Sequence, residues 1–146
     1  MLAGNLCGVP ALRTVLALLL ALSSSPFVLA SEKPAADEAN KPAFVSITPA
    51  LVGNYGNGPR LKYYKADIAL KVTGAEAAGK VEQHEPLIRN QLIMLFAQQT
   101  DETLGNLEGK EKLRQEALKQ VRAAINTEEG KPLVDDLLFT NLIVQP

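Results

Sequence analysis

The chain has 146 residues, with 15 basic and 16 acidic side chains and a formal net charge of −1. This balance excludes a dominant electrostatic attraction to nucleic acid or to anionic lipid. One His and one Cys are too few for a zinc site, which takes about four such ligands, and a single Cys excludes a disulfide framework within the chain. The length allows one domain with its own hydrophobic core.

The first thirty residues have the composition of a secretory leader. Arg13 is their only charge, and it is followed by an apolar run over residues 15–22 and then by three serines and a proline. Small residues precede the junction of Ala30 and Ser31, where we expect cleavage. The alternative is a retained membrane anchor, which needs about 20 mostly apolar residues, more than this run supplies. Export places the domain outside the cytoplasm, which in a bacterium with two membranes is the periplasm.

Residues 31–42 follow the leader and contain no large apolar side chain. This composition predicts a flexible linker that separates the folded part from the membrane or from a neighbouring domain. The pattern changes at Phe44, so we expect the folded domain over residues 43–146.

Two strands joined by a turn open the expected domain. Residues 44–52 are rich in β-branched side chains, and Pro49, which has no amide hydrogen, predicts an edge strand or a bulge. Residues 53–59 hold three glycines and two asparagines, a composition typical of turns. Residues 60–73 alternate between polar and apolar side chains and predict the second strand of a long hairpin. The apolar face of that strand consists of Tyr64, Ala66, Ile68, Leu70 and Val72.

Helical patterns follow the hairpin. Residues 75–85 and 87–99 predict helical segments on either side of Pro86, and the Thr100 side chain suits a helix start. Residues 110–126 predict a further helix, because apolar side chains recur there every three or four positions.

Residues 134–145 predict a third strand. Strict alternation would place Leu138, Thr140, Leu142 and Val144 on one face, with Leu137, Phe139 and Ile143 on the other. Apolar residues on both faces favour a central or well-covered position in the sheet. The predicted order is β-β-α-α-β, an α+β domain with a small antiparallel sheet and helices packed on one face.

The sequence contains no recognisable catalytic constellation. His84 has no second His or Cys to complete a site, which favours a structural role at the surface or at a helix kink. Most serines lie in the leader or at its boundary, and the glycines of the turn are not followed by the Lys and Ser or Thr of a phosphate loop. Adjacent carboxylates occur in three pairs, for which solvation is the expected role. These pairs are Asp101-Glu102, Glu128-Glu129 and Asp135-Asp136. We therefore expect a protein that is not an enzyme and has no cofactor or metal.

Several segments together resemble one protein family. The closing strand at residues 134–145, VDDLLFTNLIVQ, resembles that of the FliL family of flagellar basal body-associated proteins. Residues 62–70 resemble the second strand of that family, and residues 86–93 resemble its helix with a proline and an arginine. Further segments agree in order and spacing, and the resemblance spans residues 43–146. These segments are residues 100–104, 109–114 and 125–126.

The resemblance implies a periplasmic domain of the stomatin-like class that assembles into rings around the stator units of the flagellar motor. It implies a structural role in stator function, torque, and swimming and swarming motility, without catalysis. The implied partners are stator or basal-body proteins and further copies of the chain, at a membrane-proximal position. The implied location is the periplasm, either soluble or at the inner-membrane basal body.

Mixed charge on the helices suggests where partners bind. The basic side chains expected on exposed helix faces are Arg89, Lys110, Arg114, Lys119 and Arg122. Arg89 and Arg114 are the candidate partner-contact residues. FliL proteins keep an uncleaved transmembrane helix, whereas the leader here has features of a cleavable one. This difference keeps open an alternative, a soluble periplasmic binding module on the same fold without a role in the motor.

Overall fold

The computed structural model describes residues 39–146, which form three strands and four helices. In chain order these are β1 (Pro42–Tyr55), β2 (Lys62–Thr73), α1 (Ala75–Gln83), α2 (Glu85–Ala97), α3 (Asp101–Gly105), α4 (Leu107–Glu129) and β3 (Val134–Gln145). The expected leader, its cleavage site between Ala30 and Ser31, and residues 31–38 of the expected linker lie outside the described residues.

The three strands form one antiparallel sheet in the order β1-β2-β3, which confirms the α+β class and the element order. The prediction of a central position for β3 is wrong, because β2 is the central strand and, within residues 39–146, β3 pairs only with β2. The apolar residues on its second face are not covered by the described part of the chain: Leu138 and Ile143 remain 37% and 47% exposed.

Irregular pairing divides both edge strands. In β1 the register shifts between Ile47 and Leu51, a segment that contains Pro49, so the sequence prediction for this proline is confirmed. Strand β3 contains two extra residues, Asp135 and Thr140, because its pairing with β2 skips each of them.

The extra residue Thr140 corrects the predicted strand faces. Because side chains alternate with a period of two, one additional residue reverses the phase of everything that follows it. Leu137 and Phe139 face the core before the bulge, and Leu142 and Val144 face it afterwards. Strict alternation had placed these two pairs on opposite faces.

Helix boundaries follow the capping residues. His84 separates α1 from α2, and Pro86 lies in the first turn of α2, where its missing amide hydrogen costs nothing. The Thr100 hydroxyl accepts a hydrogen bond from the Thr103 amide and begins α3, a short helix absent from the sequence prediction. The Asn106 side chain begins α4 three residues earlier than expected by accepting from the Gly109 amide at 2.7 Å.

The core lies between one face of the sheet and the helices. The predicted apolar face of β2, from Tyr64 to Val72, is buried as expected. Helix α2 packs over β1, and α4 packs along β3. The helix side chains buried in this core are Val81, Ile88, Leu92, Leu95, Phe96, Leu104, Leu113, Ala117, Val121 and Ile125.

The residues just before β1 lie against the start of α1. The Gly74 amide donates a hydrogen bond to the Lys41 carbonyl oxygen at 2.8 Å. Gly74 has a φ of +89°, and a Cβ atom there would lie 2.6 Å from the Ala39 carbonyl oxygen. Glycine is therefore required both by the backbone conformation and by the close approach of the chain.

Candidate interaction surfaces

The single histidine joins two helix ends. His84 Nε2 lies 2.8 Å from the Glu129 Oε1 atom, and Lys80 Nζ lies 3.0 Å from the other oxygen of the same carboxylate. The hydrogen bond from His84, followed by the contact with Lys80, holds the pKa of Glu129 below its usual value. This arrangement ties the junction of α1 and α2 to the last residue of α4, which is the structural role expected for a lone histidine.

Three further carboxylates, Asp101, Asp135 and Asp136, also form tertiary contacts. The expectation that the acidic pairs are only solvated is therefore wrong for one member of the first two pairs and for both members of the third. Asp101 accepts hydrogen bonds from Lys62 and from the Tyr55 hydroxyl, and it connects α3 to the hairpin. The Lys62 contact is the main cause that lowers the pKa of Asp101. Asp136 binds Arg114 and thereby connects β3 to α4.

The two candidate contact residues lie on different helices and bond to different strands. Arg89 on α2 donates to Glu85 at 2.7 Å and to the Pro49 carbonyl oxygen of β1 at 2.8 Å. Arg114 on α4 donates to Glu111 and Asp136 and, at 3.1 Å, to the Leu137 carbonyl oxygen. The two side chains share no bonding partner, so the structure does not bring them together in one site. Both are half-buried, and each one forms hydrogen bonds within the domain.

A row of α4 side chains follows the outer edge of β3. The row has one residue every four positions and consists of Lys110, Arg114, Leu118 and Arg122. Arg122 donates to the carbonyl oxygens of Val134 and Asp135 at 2.7 and 2.6 Å. Together with the bond from Arg114 to Leu137, these contacts occupy carbonyl groups along the first half of the strand. The three basic residues of this row are therefore not the exposed charges that the sequence predicts. Of the five basic residues predicted to be exposed, only Lys119 is.

Two surfaces present apolar side chains to solvent. The sheet face opposite the helices has exposed apolar side chains on all three strands, and Lys65 and Lys71 of β2 lie on the same face. The apolar side chains are Phe44, Val52, Tyr63, Leu138 and Ile143. On α2, Ile93 and Met94 are exposed in a stretch from Asn90 to Thr100 that carries no charge. Large exposed apolar side chains that cluster in this way are typical of contact surfaces.

A groove lies between the second half of β3 and the helices α3 and α4. Its volume is about 490 Å³. Its lining consists of Tyr55, Asp101, Leu104, Gly105, Lys110, Leu142, Val144 and Pro146. The groove exists because α4 begins at Leu107 and covers the second half of β3 incompletely, which leaves Leu142 and Val144 only half-buried.

Within residues 39–146, no cluster of three or more His, Cys, Asp or Glu side chains has the arrangement of a metal site. In the same range, none of the helices combines the length and the apolar character that crossing a membrane requires.

The described residues thus define a small α+β domain whose distinctive features are contact surfaces. A model of the family described as flagellar basal body-associated protein FliL matches residues 44–145, and the chain belongs to this family. It is similar to a protein of Aquifex aeolicus (strain VF5) named flagellar protein FliL, with 26% identity over 99 residues. The match covers 68% of this chain and 59% of the relative.

Proposed function

We propose that this protein is a non-enzymatic accessory component of the flagellar basal body that supports stator function, torque, and swimming and swarming motility. The match of residues 44–145 to the FliL family carries the proposal. The exposed apolar groups on α2 and on the outer sheet face support an action through protein contact. In this proposal, the domain lies in the periplasm next to the inner membrane and associates with further copies of itself and with stator or basal-body proteins.

A deletion strain tests the role in motility. We expect the strain to swim and swarm less than its parent and to recover when the intact chain is supplied. Normal swimming and swarming in the deletion strain would refute the flagellar proposal.

Surface variants test whether motility depends on protein contact. Ile93→Glu and Met94→Glu place a charge on the exposed side of α2, so both are expected to reduce motility while the domain remains folded. Lys119→Glu on the exposed side of α4 serves as the control and should swim normally. Equal motility of all three variants would exclude α2 as a contact surface.

Variants of Arg89 and Arg114 require a measurement of stability in addition to one of motility. Arg89→Glu and Arg114→Glu are expected to reduce motility, but both arginines also bind groups within the domain. The melting temperature of each variant therefore has to be measured alongside its motility. Only a motility loss at an unchanged melting temperature would support a direct contact between that arginine and a partner.

The alternative function is a soluble periplasmic binding module without a role in the motor. The short apolar run after Arg13 favours this alternative, because it suits cleavage between Ala30 and Ser31 better than a retained anchor. N-terminal sequencing of the protein from cells separates the two. A chain that begins at Ser31, together with an unimpaired deletion strain, would favour the binding module, whereas an intact N-terminus in the membrane fraction would favour the anchored accessory protein.

A further inference from the structure

In the part of the chain that the structure describes, the second half of β3 has an unpaired edge next to the groove. Strand β3 pairs with β2 on one side, and within residues 39–146 no strand pairs with its other side. From Leu138 to the end of the strand, no side chain is fully buried. Unpaired strand edges present amide and carbonyl groups on which an additional strand can form.

The two halves of this strand edge differ in whether helix side chains form hydrogen bonds with their backbone carbonyl groups. In the first half, Arg114 and Arg122 donate hydrogen bonds to the carbonyl oxygens of three residues. No helix side chain of the described chain forms such a bond with residues 138–145. The structure therefore blocks strand addition along the first half and leaves it open along the second half.

Lys110 is the member of the α4 row that lies at the open half. It lines the groove together with Leu142 and Val144 and is half-buried. Within residues 39–146, no carboxylate lies within ion-pair distance of its ammonium group. The carboxylates nearby are already bound, since Asp101 pairs with Lys62 and Glu111 pairs with Arg114. The groove therefore combines the half-buried apolar side chains of Leu142 and Val144 with an ammonium group that has no ion-pair partner among the described residues.

We propose that the open half of β3 and this groove bind an extended peptide segment of a partner protein, with alternating apolar side chains and one acidic side chain. The backbone of the segment pairs with residues 138–145 as a fourth strand. Its apolar side chains contact Leu142 and Val144, which are half-buried, and its carboxylate binds Lys110. Main-chain hydrogen bonds supply affinity in this mode, and the side-chain pockets supply specificity. The proposal does not depend on the flagellar role.

Binding of synthetic probes to the purified full chain tests the proposal. The first probe is a labelled peptide of about eight residues, the length of the open edge, in which valine and threonine alternate around one glutamate. The second has glutamine in place of the glutamate, and the third has lysine. We expect the glutamate peptide to bind about tenfold more tightly than the glutamine peptide, because a charged hydrogen bond is lost, and the lysine peptide to bind weakest. Equal affinity of the three peptides, or no binding of any of them, would overturn the proposal.

A charge exchange then identifies the residue involved. Lys110→Glu should reverse the preference, so that the lysine peptide binds more tightly than the glutamate peptide. Lys119→Glu makes the same change on the exposed side of the same helix and should leave the original preference intact. If Lys119→Glu shifts the preference as much as Lys110→Glu does, the effect is one of overall charge and the proposal fails.

Methyl resonances locate the bound peptide. The glutamate peptide should shift the signals of Leu142 and Val144 and leave those of Val52 on the outer sheet face unchanged. The opposite pattern would contradict binding at the groove. If the groove signals instead depend on protein concentration and the peptide does not compete, a second copy of the chain occupies the site, which also refutes the proposal.

Discussion

Gly109 in the first turn of α4 lies directly against the backbone of Thr103 in α3. A Cβ atom on Gly109 would be 2.4 Å from the Thr103 carbonyl oxygen and 2.7 Å from its Cα atom. Neither neighbour is a flexible side chain that could move aside. The short turn between α3 and α4 therefore depends on the absence of a side chain at position 109, and this requirement has a measurable consequence.

Gly109→Ala should destabilise the domain by about 2 kcal/mol, because the added methyl group forces the two helices apart. Gly79→Ala provides the matched control, since Gly79 lies inside α1 with nothing within 4 Å of the added atom. Alanine favours the helix there and should raise the free energy of unfolding by about 0.5 to 1 kcal/mol. Urea unfolding of both variants measures the two effects, and changes of the same sign would contradict the close packing of α3 on α4.

The two buried tyrosines should respond in opposite ways to loss of the hydroxyl group. The Tyr55 hydroxyl donates to Asp101 at 3.2 Å, whereas the Tyr64 hydroxyl is buried without a partner among the described residues. We expect Tyr55→Phe to cost about 1 kcal/mol and Tyr64→Phe to leave stability unchanged or to increase it. Thermal unfolding measures both. A clear loss in Tyr64→Phe would show that its hydroxyl is hydrogen-bonded in solution.

Acid should weaken the contacts at the first turns of α4. The hydrogen bond from Arg114, with a further one from Gln115, lowers the pKa of Glu111 from 4.5 to about 2 in the folded protein. Because the pKa is lower when folded, this carboxylate stabilises the domain fully above pH 4.5, and the contribution is lost as the pH falls towards 2. Glu111→Gln and Arg114→Gln should each flatten the dependence of the urea midpoint on pH in this window. An unchanged slope in both variants would contradict the assignment.

The bonds from Arg122 to β3 can be tested with a side chain of similar length. Arg122→Met keeps the apolar stem but removes both donors to the carbonyl oxygens of Val134 and Asp135. The expected cost is about 1 to 3 kcal/mol, because these are hydrogen bonds from a charged group. Amide exchange in β3 should accelerate near these residues. Lys119→Met, on the exposed side of α4, should change neither property.

Regular patterns made much of the fold predictable. Strict alternation in β2 identified the buried residues from Tyr64 to Val72, and the spacing in α4 placed Leu113, Ala117 and Val121 in the core. The edge or bulge predicted for Pro49 and the helix start predicted for Thr100 were also correct. Proline cannot donate a backbone hydrogen bond, and a threonine hydroxyl can cap a helix. These features follow from the chemistry of neighbouring residues and need no knowledge of the tertiary structure.

The incorrect predictions concern features that depend on how strands and helices pair in the tertiary structure. The bulge at Thr140 shifts the faces of β3, and nothing in the sequence around it marks an extra residue. The edge position of β3 depends on strand order, which side-chain patterns do not encode. Lys110, Arg114 and Arg122 are spaced by four and eight residues, so their side chains lie on one face of α4. This spacing could have predicted that Arg114 and Arg122 contact the same neighbouring element. The groove could not have been predicted from the sequence, because it results from where α4 begins relative to β3.

Helix α4 and strand β3 run antiparallel to each other, and this arrangement also affects the expected order of folding. Their contacts join residues that are close in sequence, such as Arg122 and Val134, which are 12 positions apart. Contacts between β3 and β2 span much longer segments, such as the 62 positions between Thr73 and Asp135. Closing a longer loop costs more chain entropy, so local contacts form more readily. We therefore expect the last third of the chain to assemble as a helix–strand unit, which then docks onto the preformed hairpin of β1 and β2.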